Sequence, residues 1–157
     1  MRPLIALLPI LGLLCAPLRA DGVSFVHVWP QWHEADFFQS FYEYRHHHEL
    51  DGNFTVLRSQ PWERGGLYFL TRVKNTGASF KGATFVIRVI SPESTATRVF
   101  NFPAEIPGGA QLFEIGLTGA DWAGAKTEPV AWNVELLAAD GRVIAQKSSF
   151  LWEKPAR

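Results

Sequence analysis

Strict alternation over residues 67–74 is the sequence feature that most constrains the fold. Alternate positions in this stretch form two sets, namely Leu67, Phe69, Thr71 and Val73, and Tyr68, Leu70, Arg72 and Lys74. Successive side chains of a β-strand point to opposite faces of a sheet, so this period of two predicts a strand. The turn residues Asn75-Thr76-Gly77 follow directly and are predicted to turn the chain.

Similar short segments, separated by glycine, proline and asparagine or aspartate, recur along the chain. The predicted strands are Val23–Trp29, Phe54–Ser59, Leu67–Lys74, Ala83–Ile90, Ala96–Phe102, Gln111–Leu117, Val130–Ala138 and Arg142–Trp152. Pro30 is expected to end the first strand, because proline lacks the N–H that a strand ladder needs. Asp140-Gly141 predicts a two-residue hairpin. Short strands at near-regular spacing are typical of an antiparallel sandwich or barrel.

A helical period replaces the strand pattern over residues 33–49. Positions Phe37, Phe41, Tyr44 and His48 follow one another at helical spacing, and Asp36, Gln39, Glu43 and His47 fall on the other side. This spacing predicts one amphipathic N-terminal helix that packs on the sandwich. The turn signal Asp51-Gly52-Asn53 is expected to end it.

The first 20 residues have the layout of a secretory signal peptide. Arg2 precedes the apolar run Leu4–Leu14, and Ala20 offers a small residue for cleavage. The run is shorter than the roughly 20 apolar residues of a membrane-spanning helix, which argues against a permanent anchor. A lipid anchor on Cys15 is the alternative, and the bulky Leu14 directly before it argues against that modification. We therefore expect an exported protein, periplasmic or extracellular, that does not cross the membrane.

Composition limits the chemistry of the mature chain. Cys15 is the only cysteine and lies in the predicted leader, so no disulfide or thiolate ligand is expected after cleavage. Lys and Arg together equal Asp and Glu at 15 each, and no basic block stands out, which excludes nucleic acid as an expected partner. The predicted division is a cleaved leader (1–20), a strand and His-rich helix (21–53), a β-sandwich (54–153) and a tail (154–157).

Several turn and strand motifs are shared with one known class of domain. They are Arg72-Val-Lys-Asn-Thr-Gly77, Gly82-Ala-Thr-Phe85, Ile106-Pro-Gly-Gly109 and Leu112-Phe-Glu-Ile115. Over about residues 67–118 the chain resembles bacterial exported immunoglobulin-like domains of the adhesion-related, Asn-Thr-Gly-turn kind. The resemblance implies an immunoglobulin-like β-sandwich and supplies no active site. The helical segment at 33–49 lies outside the shared pattern.

All five histidines lie in one stretch near the front of the chain. They are His27, His33, His46, His47 and His48. Imidazole is a common ligand of zinc and copper, and Glu43 and His47 are four residues apart, so a helix would place them on one face. A metal site built from His33, Glu43, His46, His47 and His48 is one hypothesis. A solvated helix end, where histidine favours the negative dipole, and a pH-sensitive interface are the alternatives.

The tryptophans give a second hypothesis, because exposed rings can stack on sugars or anchor a protein partner. Trp29 and Trp32 flank Pro30-Gln31, and Trp62 lies in a loop. Trp132 and Trp152 are expected in the core. Trp122 is expected to close one end of the sandwich.

The sequence contains no catalytic motif that we recognise, such as Gly-x-Ser-x-Gly or HExxH. The favoured function is therefore an exported non-catalytic binding or structural module, without a cofactor, that contacts a protein or glycan of the cell envelope. Its predicted contact residues are Trp29, Trp32, Trp62, His46, His47 and His48. The alternatives are a periplasmic zinc- or copper-binding protein that uses segment 33–48, and a small hydrolase or lyase with His27 or His33 beside two carboxylates.

Overall fold

The computed structural model describes residues 22–38 and 54–153. The strands are β1 (Val23–His33), β2 (Phe54–Arg58), β3 (Gly66–Asn75), β4 (Phe80–Ser91), β5 (Ser94–Ile106), β6 (Gly109–Thr118), β7 (Ala131–Leu137) and β8 (Val143–Ser148). A 3₁₀ turn at Gly119–Asp121 follows β6, and a short helix α1 (Phe150–Glu153) follows β8. The mainly β architecture that the alternation predicts is confirmed.

The strands form two four-stranded sheets. Sheet 1 has the order β1-β3-β6-β2, and sheet 2 has the order β5-β4-β7-β8. Neighbouring strands are antiparallel except β2 and β6, which run parallel. The expectation of a purely antiparallel arrangement is therefore wrong for this one pair, because β2 reaches sheet 1 at its far edge rather than through a hairpin.

The two sheets share one hydrophobic core. The ring centroids of Phe85 in sheet 2 and Phe113 in sheet 1 are 4.9 Å apart, and those of Phe69 and Trp132 are 5.7 Å apart. Phe69, Phe85 and Phe113 are fully buried. Burial of each such ring contributes about 1.5–3 kcal/mol, so aromatic packing is a principal source of stability in this core.

Sheet 1 is also covered on its outer face. Tyr68 and Leu70 are buried there with Phe38, and Trp29 and Val56 pack against them. This second cluster explains why β3 is buried at six consecutive residues instead of at every other one. The segment after β1 supplies Phe38 and so helps to cover this face.

β1 runs through Pro30, which is paired with Phe69, and ends at His33. The prediction that proline ends this strand is wrong. β1 is an edge strand of sheet 1, and on an edge alternate N–H groups face away from the neighbouring strand. A proline at such a position removes no ladder hydrogen bond.

The Asn75-Thr76-Gly77 turn carries the chain from sheet 1 to sheet 2. The buried Asn75 amide donates to Ala78 O at 2.9 Å and to Pro107 O at 3.1 Å, and its Oδ1 accepts from the Gly77 N–H at 2.9 Å. One side chain therefore joins the β3–β4 connection to the β5–β6 connection.

The β7–β8 hairpin is present, and its loop is one residue longer than predicted. The Ala138 N–H donates to Arg142 O at 2.8 Å, which leaves three residues in the loop. Gly141 has φ of 83°, as expected for a type I turn followed by a left-handed residue. β8 ends at Ser148 and α1 follows, so the predicted strand to Trp152 is too long.

The predicted helix at 33–49 is not shown. His33 belongs to β1, and a turn follows in which the Phe37 N–H donates to Glu34 O at 3.2 Å. Residues 39–49, like the predicted leader and tail, lie outside the described residues. Within the described ranges, none of the helices combines the length and apolarity needed to cross a membrane.

Candidate functional site

The connections at the two ends of the molecule differ in size. One end, the turn end, carries the short connections at 76–79, 107–108 and 138–142. The opposite end carries the longer segments 34–38, 59–65 and 119–130 together with α1. We call it the aromatic end, because it carries Trp32, Trp62, Trp122, Trp132 and Trp152.

A groove of about 360 Å³ opens at the aromatic end, between β1 and the loop that leads into β7. We call it the aromatic groove. Residues of β1 form one wall, and the other wall is formed by Ala125, Thr127, Glu128 and Pro129. The lining includes two prolines and two tryptophans, and among its residues are Pro30, Gln31, Trp32, Glu128, Pro129 and Trp132.

Trp32 is held in the groove from both sides. It is half-buried and packs against the main core, opposite Leu67 in the β1–β3 pair. Its indole N–H donates to the Glu34 carboxylate at 2.8 Å. A hydrogen bond to a charged acceptor is stronger than a neutral one, so Glu34 stabilises one orientation of the ring.

Trp132 is fixed through its backbone and its ring. Its N–H donates to Ser149 Oγ at 3.0 Å, and its carbonyl accepts from the Ser149 N–H at 2.9 Å. The ring meets Phe69 edge-on and is 9% exposed. No described residue accepts a hydrogen bond from its indole N–H, which leaves a donor for a ligand in a mostly buried ring.

The loop wall of the groove is shaped by Trp122. This residue is buried, and its indole N–H donates to Thr127 O at 2.9 Å. Trp122 belongs to the main hydrophobic core, and its predicted role in closing one end of a sandwich stays a prediction. The Thr127 N–H donates to Gly124 O at 3.1 Å, and Gly124 has φ of 109°, where a side chain would be strained. These hydrogen bonds fix the loop backbone directly before Glu128 and Pro129.

The charged side chain in the described lining of the groove is that of Glu128, and the exposed Lys126 lies two residues before it in the same loop. Glu128 is exposed and makes no ion pair or hydrogen bond with the part of the chain that the structure describes. Among the described residues that line the groove there is no lysine or arginine. An unpaired carboxylate beside aromatic rings favours a cationic group over an anionic one.

No protein-family model matches the chain, and no curated protein or solved structure is significantly similar to it.

The other predicted contact tryptophans lie outside the groove. Trp62 is 90% exposed and lies in the 59–65 loop. This loop is held to the end of β6 by a hydrogen bond of 3.1 Å from the Gln60 N–H to Thr118 Oγ1. Trp29 is half-buried on the outer face of sheet 1, with its ring centroid 4.5 Å from that of His27. The structure therefore brings only Trp32, of the three predicted tryptophans, to the groove.

His33 lies in a separate, buried cluster on the outer face of sheet 1. It is 3% exposed, and its ring stacks on that of Tyr68. The ring centroid of His33 is 5.1 Å from that of Tyr68 and 4.0 Å from that of Phe37. Its Nδ1 has no hydrogen-bond partner among the described residues. Burial lowers the pKa of His33 to about 4, so the ring is neutral at pH 7.

Tyr68 and Arg58 form the polar side of this cluster. The Tyr68 hydroxyl donates to Arg64 O at 2.6 Å and accepts from Arg58 Nε at 2.9 Å. The Arg58 guanidinium also lies 4.7 Å from the ring centroid of Phe38. Burial raises the pKa of Tyr68 above its ordinary value, and the hydrogen bond from Arg58 opposes that shift.

The metal hypothesis stays a prediction. Within residues 22–38 and 54–153 there is no group of three metal-ligating side chains. His33, the described member of the predicted set, is surrounded by aromatic rings. Glu43, His46, His47 and His48 lie outside the described residues.

Sequence reasoning missed three features of these sites. Trp132 is buried as predicted, yet it also lines the groove, since it is the second residue of its strand and adjoins a loop. The sequence offers no reason to select Glu128 as a site residue beyond its place beside Pro129. Tyr68 and Leu70 are large residues on the second face of an alternating strand. Their presence on that face could have indicated that both faces of sheet 1 are covered.

Proposed function

We propose that this protein is an exported, non-catalytic binding module that holds a protein or glycan of the cell envelope in the aromatic groove. The observation that carries the proposal is the pair Trp32 and Trp132, which line one groove. The indole N–H of Trp132 has no hydrogen-bond acceptor among the described residues. Binding energy at interfaces concentrates in such partly buried aromatic anchors.

We also propose that the two sheets form an immunoglobulin-like sandwich, and the strand order supports this. β1, β3 and β6 can be matched to strands A, B and E of such a domain, and β5, β4, β7 and β8 to C′, C, F and G. β2 is then an addition beside strand E. Sandwiches of this kind carry many functions, so the match supports the fold proposal alone.

Export forms the second part of the proposal and rests on residues 1–20. Expression of the full chain in a bacterial host, followed by N-terminal sequencing of the periplasmic fraction, tests it. We expect a mature chain that begins after Ala20. A chain that stays in the cytosol with its leader intact would refute export and leave the groove argument untouched.

The groove is tested by a pull-down from the native envelope with the mature protein and two alanine variants. Trp32→Ala removes one wall of the groove and is expected to lose the partner, at a cost of about 2 kcal/mol or more. Trp62→Ala is the matched control, because it removes an equally large exposed ring outside the groove and is expected to retain the partner. Retention of the partner by folded Trp32→Ala protein would refute the proposal, whether or not its melting temperature falls.

A further inference from the structure

We propose that the aromatic groove binds a proline-rich peptide segment that carries arginine or lysine and adopts the polyproline II conformation. This inference rests on the proposed function and names the chemical class of its ligand.

The tryptophan and proline residues of the lining match the shape of proline side chains. Two tryptophans and two prolines contribute to a groove of about 360 Å³, which is space for a few residues and not for a folded element. Proline rings are flat and apolar and pack well on aromatic faces, which is how proline-rich ligands are recognised in aromatic-lined grooves. A polyproline II segment is already extended before it binds, so little chain entropy is lost on docking.

The free donor matches the backbone of such a segment. Polyproline II has no internal hydrogen bonds, so its carbonyl groups remain available as acceptors. The indole N–H of Trp132 has no acceptor among the described residues, whereas that of Trp32 is already bonded to Glu34. Trp132 lines the groove, and we assign its uncommitted indole donor to a ligand carbonyl.

The charge of the groove selects the flanking residue of the peptide. Glu128 is exposed and makes no ion pair within the described residues, and the described lining carries no basic side chain. A lysine or arginine beside the prolines would neutralise this carboxylate. An anionic ligand, such as an acidic glycan, would be repelled by this carboxylate.

Calorimetric titration of the mature protein with synthetic peptides tests the inference. The probes are a capped peptide of six prolines followed by two arginines, its two-glutamate counterpart, and a glycine–serine peptide that ends in two arginines. We expect the first peptide to bind, the second to bind at least roughly threefold more weakly at low salt, and the third not to bind.

Two variants locate the binding to the groove. Trp132→Phe keeps an aromatic ring and removes the donor, and we expect a loss of roughly threefold to tenfold in affinity. Glu128→Gln is an exposed change that leaves the fold intact, and we expect it to abolish the preference for arginine over glutamate. Trp62→Ala is the control and is expected to bind as the parent protein does.

Other outcomes overturn the inference and separate it from the proposed function. Equal binding of the arginine and glutamate peptides, or no binding of either, would overturn it. Saturable binding of cello- or chito-oligosaccharides that Trp32→Ala abolishes would also overturn it, while leaving the proposed function standing. If the protein binds none of the peptides and its capture of an envelope partner does not depend on Trp32, both the peptide inference and the proposed function are wrong.

Discussion

At the residue scale, His33 carries a pH dependence that can be measured. The folded-state pKa is about 4 and the ordinary value is 6.5, so the unfolded state binds more protons between these values. The free energy of unfolding is therefore highest above pH 6.5 and falls as the pH drops towards 4. The contribution at stake is on the order of 2–3 kcal/mol.

Urea unfolding at pH 7 and pH 4.5 checks this prediction, with His33→Phe as the reference variant. Phenylalanine suits the aromatic surroundings of His33 and does not titrate. We expect the parent protein to lose more stability than the variant between the two pH values. The parent protein and the variant share every other ionisable group, including Arg58, Arg64 and Glu114. Equal losses of stability would therefore show that the pH dependence does not come from His33.

Asn75 is a second residue whose side chain stabilises the fold. It is 3% exposed and makes three hydrogen bonds that join two connections at the turn end. We expect Asn75→Ala to lower the free energy of unfolding by about 2–3 kcal/mol, because buried backbone groups lose their partners. Thr76→Ala, an exposed change in the same turn, is the control and is expected to cost less than half as much.

At the scale of single elements, the β7–β8 hairpin depends on Gly141. Its φ of 83° lies in the left-handed region, where a β-carbon costs roughly 1–2 kcal/mol. We expect Gly141→Ala to lower the melting temperature by several degrees and Gly141→Asn to lower it less, because asparagine tolerates this conformation. Peptide binding should be unchanged in both, since the hairpin lies at the turn end. A loss of binding would show that the two ends are coupled.

The elements also show what the sequence could and could not predict. All eight predicted strands are present, because each has its own alternation and its own turn residues. The extension of β1 through Pro30 was not predictable locally, since it depends on β1 being an edge strand. The parallel β2–β6 pair is likewise a long-range arrangement that no local pattern encodes.

The candidate site was harder to predict than the fold for the same reason. Trp32 was identified from its place beside Pro30, but its groove exists only because a loop from β6 to β7 folds against β1. Trp132 and Glu128 come from that loop and the strand after it, about 100 residues along the chain. Contacts of this range are set by the packing of the two sheets and not by any local motif.

At the scale of the whole molecule, one core joins both sheets, so they should unfold together. Phe85 contacts Phe113 across the interface, and the described residues contain no cysteine to link the sheets covalently. We expect Phe85→Ala to cost about 3–5 kcal/mol, a large share of the 5–15 kcal/mol typical of a domain. Far- and near-ultraviolet circular dichroism should report one coincident transition. Two separated transitions would show that the sheets are independent units.

The indole N–H signals of the six tryptophans test the central claim most directly. Nuclear magnetic resonance of the mature protein, titrated with the six-proline, two-arginine peptide, follows each signal separately. We predict that the signals of Trp132 and Trp32 shift in a saturable way while that of Trp62 stays in place. A shift of Trp62 with Trp32 and Trp132 unmoved would contradict the assignment of binding to the aromatic groove.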